Sequence, residues 1–226
     1  MTKVITIATR KGGSGKTTIA TNLAVQSAKS GYTTLIIDCD FETKVASKWF
    51  NSRDNNDLDS LLFCIESYKQ DHLKSLIETA KENKVDYVYI DTAGTGDNLV
   101  NESVNQSDYC LIPCGAGGFD ILPLQQTVEL INKLNKKASF IITKAPSNSN
   151  EANDTDKLLR GFGLNVCSQR LTNLKLYRDA AVLGKSVSEC DINSKPSREI
   201  KKLFEWLKER VKTNSLQNKL QGVSNV

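Results

Sequence analysis

Eight consecutive residues carry the strongest chemistry in the chain: Lys11-Gly12-Gly13-Ser14-Gly15-Lys16-Thr17-Thr18. Glycines at this density let the backbone turn tightly enough for successive N–H groups to face one anion. An apolar, β-branched run from Val4 to Ala8 precedes the loop, and a helix-like run from Ile19 to Ala28 follows it. Strand, glycine loop and helix make the setting of a phosphate-binding loop. The helix start adds unpaired N–H groups and the positive end of its dipole. Lys16 then reaches the β- and γ-phosphates of a nucleotide, and the Thr17 hydroxyl is placed for Mg²⁺. A glycine-rich turn with solvated lysines would not need both flanks to fit.

Three aspartates close apolar runs. Asp38-Cys39-Asp40 follows Thr34 to Ile37, and Asp91 follows Val88-Tyr89-Ile90 and leads into Thr92-Ala93-Gly94. A carboxylate at such a strand end can hold Mg²⁺ through water or orient a water toward the γ-phosphate. The blander role, capping a turn, is available to each of them.

The elements that must position these groups alternate along the chain. Strands are expected at Val4–Ala8, Thr34–Ile37, Leu61–Ile65, Tyr87–Ile90, Tyr109–Pro113, Ser139–Thr143 and Leu164–Cys167. Helices are expected at Thr18–Ser30, Lys44–Phe50, Gln70–Asn83, Ile121–Asn135, Asn150–Gly161, Asn173–Leu183 and Ser197–Lys212, with a polar loop through Asp59. Alternation of this kind implies right-handed βαβ units: an α/β domain with a mostly parallel, twisted sheet and helices on both faces. Ligands in such sheets bind at the carboxyl ends of strands, where the glycine loop and all three aspartates fall. One domain over residues 1–212, then a polar, flexible tail over 213–226, is the simplest organisation.

Composition agrees with a folded, water-soluble chain. The 226 residues are 39% hydrophobic and 25% charged, no apolar run approaches a membrane span, and Met1-Thr2-Lys3 leads straight into the first strand without a signal peptide. Six scattered cysteines read as reduced thiols of a cytosolic protein, with Cys110 and Cys114 as small buried hydrophobes rather than metal ligands. His72 reads as a helix-surface residue. Net charge is +4, and from Arg170 to Lys212 eleven Lys/Arg face six Asp/Glu. A basic C-terminal third suits a polyanion, and equally an ordinary solvated helix face.

The phosphate loop departs from the usual G-x-x-x-x-G-K-[ST] pattern, with Arg10 where glycine is expected and a second lysine, Lys11, inside the loop. This K-G-G-x-G-K-T form resembles the deviant loop of the ParA/MinD family of nucleotide-dependent dimerising ATPases. The resemblance extends through Asp38-Cys39-Asp40 and Asp91-Thr92-Ala93-Gly94, which look like the family's two switch segments. It continues through Tyr177-Arg178-Asp179-Ala180-Ala181 and Gly184-Lys185-Ser186-Val187, and so covers roughly residues 3–210.

The resemblance implies ATP with Mg²⁺ held by Lys11 to Thr18, with Thr17, Asp38 and Asp91 on the metal side. Asp40 would position the attacking water. Lys11 would cross an ATP-dependent homodimer interface to the partner's phosphates, sharing catalysis with Lys16 and Asp40. The family often has Pro-Gln after the first switch; here Phe41-Glu42 stands there. Gly115 to Asp120 matches a turn near the nucleotide, in which Asp120 is read as a helix cap. Thr143-Lys144 falls where relatives place a contact on the adenine side.

With no N-terminal helix-turn-helix, the chain is similar to short plasmid-type ParA proteins. That implies slow ATP hydrolysis, non-specific DNA binding through basic side chains such as Arg170, Lys201, Lys202 and Lys208, a ParB-type centromere-binding adaptor, and a cytoplasmic, nucleoid-associated location without membrane binding. The alternative within the resemblance is a MinD-like ATPase that positions a membrane or protein cargo.

Overall fold

The computed structural model of the protein describes residues 1–53, 58, 60–95, 98–147 and 150–223, with side chains through 212. Most of the polar loop expected before residue 60, and residues 224–226, lie outside the described residues. Seven strands form one sheet: β1 (Lys3–Ile7), β2 (Thr34–Asp38), β3 (Leu62–Glu66), β4 (Tyr87–Asp91), β5 (Tyr109–Gly115), β6 (Ala138–Thr143) and β7 (Asn165–Val166). Their order is β3-β2-β4-β1-β5-β6-β7, and every pairing is parallel. The expected mostly parallel sheet is therefore parallel throughout the described residues.

Ten helices complete the described elements: α1 (Lys16–Lys29), α2 (Val45–Asn51), α3 (Gln70–Glu82), α4 (Asn98–Gln106), α5 (Gly118–Ile121), α6 (Leu124–Lys133), α7 (Glu151–Arg160), α8 (Lys175–Val182), α9 (Val187–Cys190) and α10 (Lys195–Val223). Side-chain alternation in the central strands builds two layers of core. Tyr87 and Tyr89 of β4, with Ile5 and Ile7 of β1, pack with Ile19 and Leu23 of α1 and with Leu203, Phe204 and Leu207 of α10. Val88 and Ile90 point the other way, onto Leu73 and Ile77 of α3 and Leu99 of α4, while Ile112 and Phe140 meet Val128 and Ile131 of α6. Strands buried on both faces explain the near-continuous apolar runs in the sequence.

Three elements differ from expectation. The helix expected over 121–135 is split, because Pro123 interrupts it: α5 ends at Ile121 and α6 starts at Leu124, with Pro123 at its N-cap. Helix α4 is unforeseen; its buried Leu99, Val100, Ser103 and Val104 lie at helical spacing, diluted by Asn101, Glu102 and Asn105. Helix α10 runs to Val223 rather than ending at Lys212.

Candidate functional site

The order of strands brings the chemistry together. β4 lies between β1 and β2, with Ile7 in register with Asp91 and Asp91 with Asp38. The chain turns from β1 into α1 with Gly13 at φ 68° and Gly15 at φ 96°, backbone positions a side chain would strain. Gly15 is the N-cap of α1 and offers no side-chain cap, so the leading N–H groups of the helix suit an anion. Thr143, at the end of β6, fastens the loop by donating its hydroxyl to the Ser14 carbonyl at 2.8 Å. Gly94 abuts the loop from the other side: a methyl there would lie 2.9 Å from the Gly12 nitrogen.

Lys16 is buried, and its Nζ donates to the Lys11 carbonyl at 3.0 Å. Burial pushes its pKa down, and the charges of Asp91 and Asp40 partly restore it. Asp91 is 1% exposed. Burial pushes its carboxyl up to about 7; the charges of Asp38 and Asp40 add to the rise, while the Thr17 hydroxyl and Lys16 oppose it. Its Oδ1 is buried without a hydrogen-bond partner among the described residues.

Asp38 is fully buried and accepts two backbone N–H groups, Asp40 at 3.0 Å on Oδ1 and Ser47 at 2.8 Å on Oδ2. It thereby ties the Asp40–Ser47 loop to β2, and burial raises its pKa against those two donors. Asp40 is half-buried, accepts the Thr43 N–H at 3.1 Å and lines the cleft above the loop. Phe41 is exposed and meets Tyr68 edge-on at 6.5 Å, on the outer side of this turn.

The Asp91 and Asp40 carboxylates act on one buried lysine, and one Asp91 oxygen has no hydrogen-bond partner among the described residues, which makes a site that favours a cation, while both oxygens of Asp38 are taken by backbone N–H groups. Among the described residues no three His, Cys, Asp or Glu side chains converge to ligate a metal unaided. That donor set fits Mg²⁺, which keeps waters and phosphate oxygens and takes few protein groups. Thr17 and Asp91 are the residues suited to hold it.

The cleft has a volume of about 680 Å³ and is lined by Gly12 to Thr18, Asp40, Thr92 and Gly94 on the phosphate-loop side. Its wall also includes Thr43 and Val45, Thr143 and Lys144, and a segment that the sequence did not mark as part of the site: Leu171 to Leu174, Tyr177, Arg178 and Ala181. Its first part, Leu171 to Leu174, lies between β7 and α8 in no strand or helix of its own, so periodicity does not mark it.

Asp120 also differs from expectation. It caps no helix; it lies inside α5 and forms an ion pair with Lys11 Nζ, which also donates to the Phe119 carbonyl at 3.4 Å. Gly115 makes room for this pair, since a methyl there would collide with the Asp120 carboxylate.

The basic residues proposed from sequence separate. Lys201 and Lys202 are exposed on α10, beside exposed Lys195 and Arg198. Lys208 pairs with Glu205 at 3.0 Å and lies over the Phe204 ring at 5.3 Å. Arg170 lies after β7, its guanidinium donating to Asn153 Oδ1 at 2.7 Å. None of the four lines the cleft. All six cysteines are free thiols; Cys110 and Cys114 are buried, and His72 is exposed on α3.

Comparison with known proteins agrees with this geometry. Residues 5–187 match the family described as the CobQ/CobB/MinD/ParA nucleotide binding domain. An uncharacterized protein of Methanocaldococcus jannaschii is 30% identical, with the match covering 92% of this chain and 99% of the relative. The maintenance of carboxysome distribution protein A of Halothiobacillus neapolitanus is 25% identical over 81% of this chain and 85% of its own. The septum site-determining protein MinD of Pyrococcus horikoshii, solved with Mg-ADP, superposes with a TM-score of 0.77 at 17% identity, covering 95% of this chain and 99% of that one. With the deviant loop, its strand-end aspartates and a family match over most of its length, the chain belongs to the CobQ/CobB/MinD/ParA nucleotide-binding family and is a ParA/MinD-type ATPase.

Proposed function

We propose that this protein is an ATP-dependent dimerising ATPase that binds non-specific DNA and positions plasmid or chromosomal DNA through a ParB-type adaptor. One observation carries this reading. The two lysines of the loop are held differently: Lys16 is buried among carboxylates, whereas Lys11 is partly exposed at the loop's outer end, steadied by Asp120 and the Phe119 carbonyl. One is placed for the chain's own nucleotide and the other can be offered outward, so that two protomers share two nucleotides. Bound Mg²⁺ would neutralise phosphate charge. Asp40 would orient a water, and among the described residues no His, Cys or Glu lines the cleft to serve as a strong general base, which fits slow turnover. Dimerisation doubles the basic faces on α10 and raises polyanion affinity steeply. On this reading the protein works in the cytoplasm, on the nucleoid.

A protein cargo in place of DNA is the second reading, favoured by the extent of the match to the carboxysome distribution protein. A membrane cargo is disfavoured, because the apolar face of α10 (Ile200, Leu203, Phe204, Leu207 and Val211) is buried in the core rather than free to enter lipid.

Salt-dependent binding to random-sequence duplex DNA, with ATP, with ADP and without nucleotide, tests the proposal. ATP-dependent, salt-sensitive binding by wild type and its loss in Lys11→Ala are expected. ATP-driven dimers that bind no DNA under any condition would overturn the DNA reading and promote the protein cargo.

A further inference from the structure

A buried carboxylate outside the catalytic cluster holds the far wall of the cleft. Glu199 lies in the first turns of α10 and is 6% exposed. Its Oε2 accepts the Thr172 N–H at 3.0 Å and the Tyr177 hydroxyl at 3.0 Å, and its Oε1 accepts the Thr172 hydroxyl at 2.5 Å. No Lys or Arg pairs with it among the described residues. Three donors therefore satisfy a charge that would otherwise be costly to bury.

Those donors belong to the lining segment. Backbone bonds stitch it to the sheet: Leu171 N–H to the Ile142 carbonyl at 2.9 Å, Ala145 N–H to the Leu171 carbonyl at 3.0 Å, and Asn173 N–H to the Ala145 carbonyl at 2.9 Å. These bonds fix Leu171 and Asn173 to the sheet; the path onward into α8 carries local bonds, Leu174 N–H to the Thr172 carbonyl at 2.9 Å and Tyr177 N–H to the Leu174 carbonyl at 3.3 Å, which do not tie it to the sheet. Glu199 spans that path, gripping Thr172 before the turn and Tyr177 inside the helix. It so sets how α8 presents Tyr177, Arg178 and Ala181 to the cleft. The phosphate loop, by contrast, is fastened by Thr143 and Gly94 and does not touch Glu199.

We infer that Glu199 is a positioning residue for the nucleoside part of the ligand: it holds the Thr172–Tyr177 wall against which a base and sugar lie, while triphosphate binding is independent of it. The inference rests on the cleft taking a nucleotide. It also makes α10 part of the ligand site, although none of its side chains lines the cleft.

Calorimetric titration of the full chain with Mg-ATP and with Mg-tripolyphosphate tests it. In Glu199→Gln, which keeps the volume and removes one acceptor, ATP should bind about tenfold more weakly, with tripolyphosphate within about twofold of wild type. In steady state the KM for ATP should rise with kcat unchanged. Equal ATP affinity in variant and wild type, or a parallel loss of both ligands, overturns the assignment. Tyr177→Phe keeps the ring and the carboxylate and removes one donor; it should weaken ATP about threefold and combine less than additively with Glu199→Gln. An unchanged ratio of the two affinities in Tyr177→Phe overturns the assignment independently of how Glu199→Gln folds. A wild-type protein that binds neither ligand would instead refute the nucleotide site itself.

Discussion

Gly94 meets the phosphate loop backbone to backbone. A Cβ there would stand 2.9 Å from the Gly12 nitrogen, 3.1 Å from its Cα and 3.2 Å from the Lys11 carbonyl carbon. None of these atoms can rotate aside, so the loop itself must shift. Gly94→Ala should therefore displace the N–H groups that face the phosphates, weakening ATP binding by about tenfold or more, on the scale of overpacking penalties of roughly 1–3 kcal/mol. An ATP titration checks this, and wild-type affinity would mean that the segment after β4 yields freely. At this scale the site was legible where chemistry needs a local pattern. The glycine loop with its two lysines and the aspartates at strand ends announce themselves by type and spacing. Asp120 did not, because its partner Lys11 is 109 residues away and a lone Asp near a helix start looks like a cap. Glu199 was equally silent, being one acid on a helix whose acids mostly face water.

Elements are joined by a few buried polar contacts, and the strongest links the end of α2 to α9. Arg53 donates to Glu189 at 2.6 Å and 3.2 Å and to the Gly184 carbonyl at 2.9 Å, with the guanidinium stacked 4.9 Å from the Trp49 ring. Glu189 also accepts the Ser186 N–H at 2.7 Å, completing a capping box at the start of α9. Burial would push the Glu189 carboxyl up, but the Arg53 and Ser186 hydrogen bonds and the Arg53 charge outweigh it, so its pKa is lowered from 4.5. A lowered folded-state pKa means stability that is full above the unfolded value and lost as pH falls through the folded one. Glu189→Gln should destabilise by about 3 kcal/mol at pH 7, as loss of one buried partner does. The gap in melting temperature from wild type should close progressively below about pH 4.5; a gap that persists undiminished at pH 3 would show that packing, not ionisation, is responsible. The strands themselves were readable, because burial on both faces leaves apolar runs between turn residues. The connections were less so: Pro123 divides one expected helix, and α4 hides its apolar stripe among amides. The strap from Leu171 to Leu174 owes its position to pairing with β6 rather than to any local propensity.

Across the whole molecule, charge is the property that sequence could count but not place. The excess of lysine and arginine after Arg170 is partly spent within the fold. Lys208 is turned onto Phe204 and Glu205, Lys175 pairs with Asp179 at 3.4 Å, and Arg178 donates to Asn173 at 3.3 Å beside the cleft. Exposed near the start of α10 are Lys195, Arg198, Lys201 and Lys202, which at spacings of three, three and one residues share one side of the helix, with Arg210 and Lys212 exposed farther along it. Each lysine that contacts a DNA phosphate contributes about 0.9 to the slope of log affinity against log salt. On the DNA reading, replacing Lys201 and Lys202 together by alanine should flatten that slope by up to roughly two units per protomer, while Lys208→Ala leaves it unchanged. Because both lysines are exposed and neither lines the cleft, ATP binding should survive the double substitution, which separates lost contacts from lost dimers. A slope that responds to Lys208 and not to the pair would put the polyanion about 10 Å further along α10, two turns on from Lys201 and on the same side of the helix, where Glu205 must first release its lysine. The order of sensitivity among three lysines on one helix thus reports where along α10 the protein meets its track.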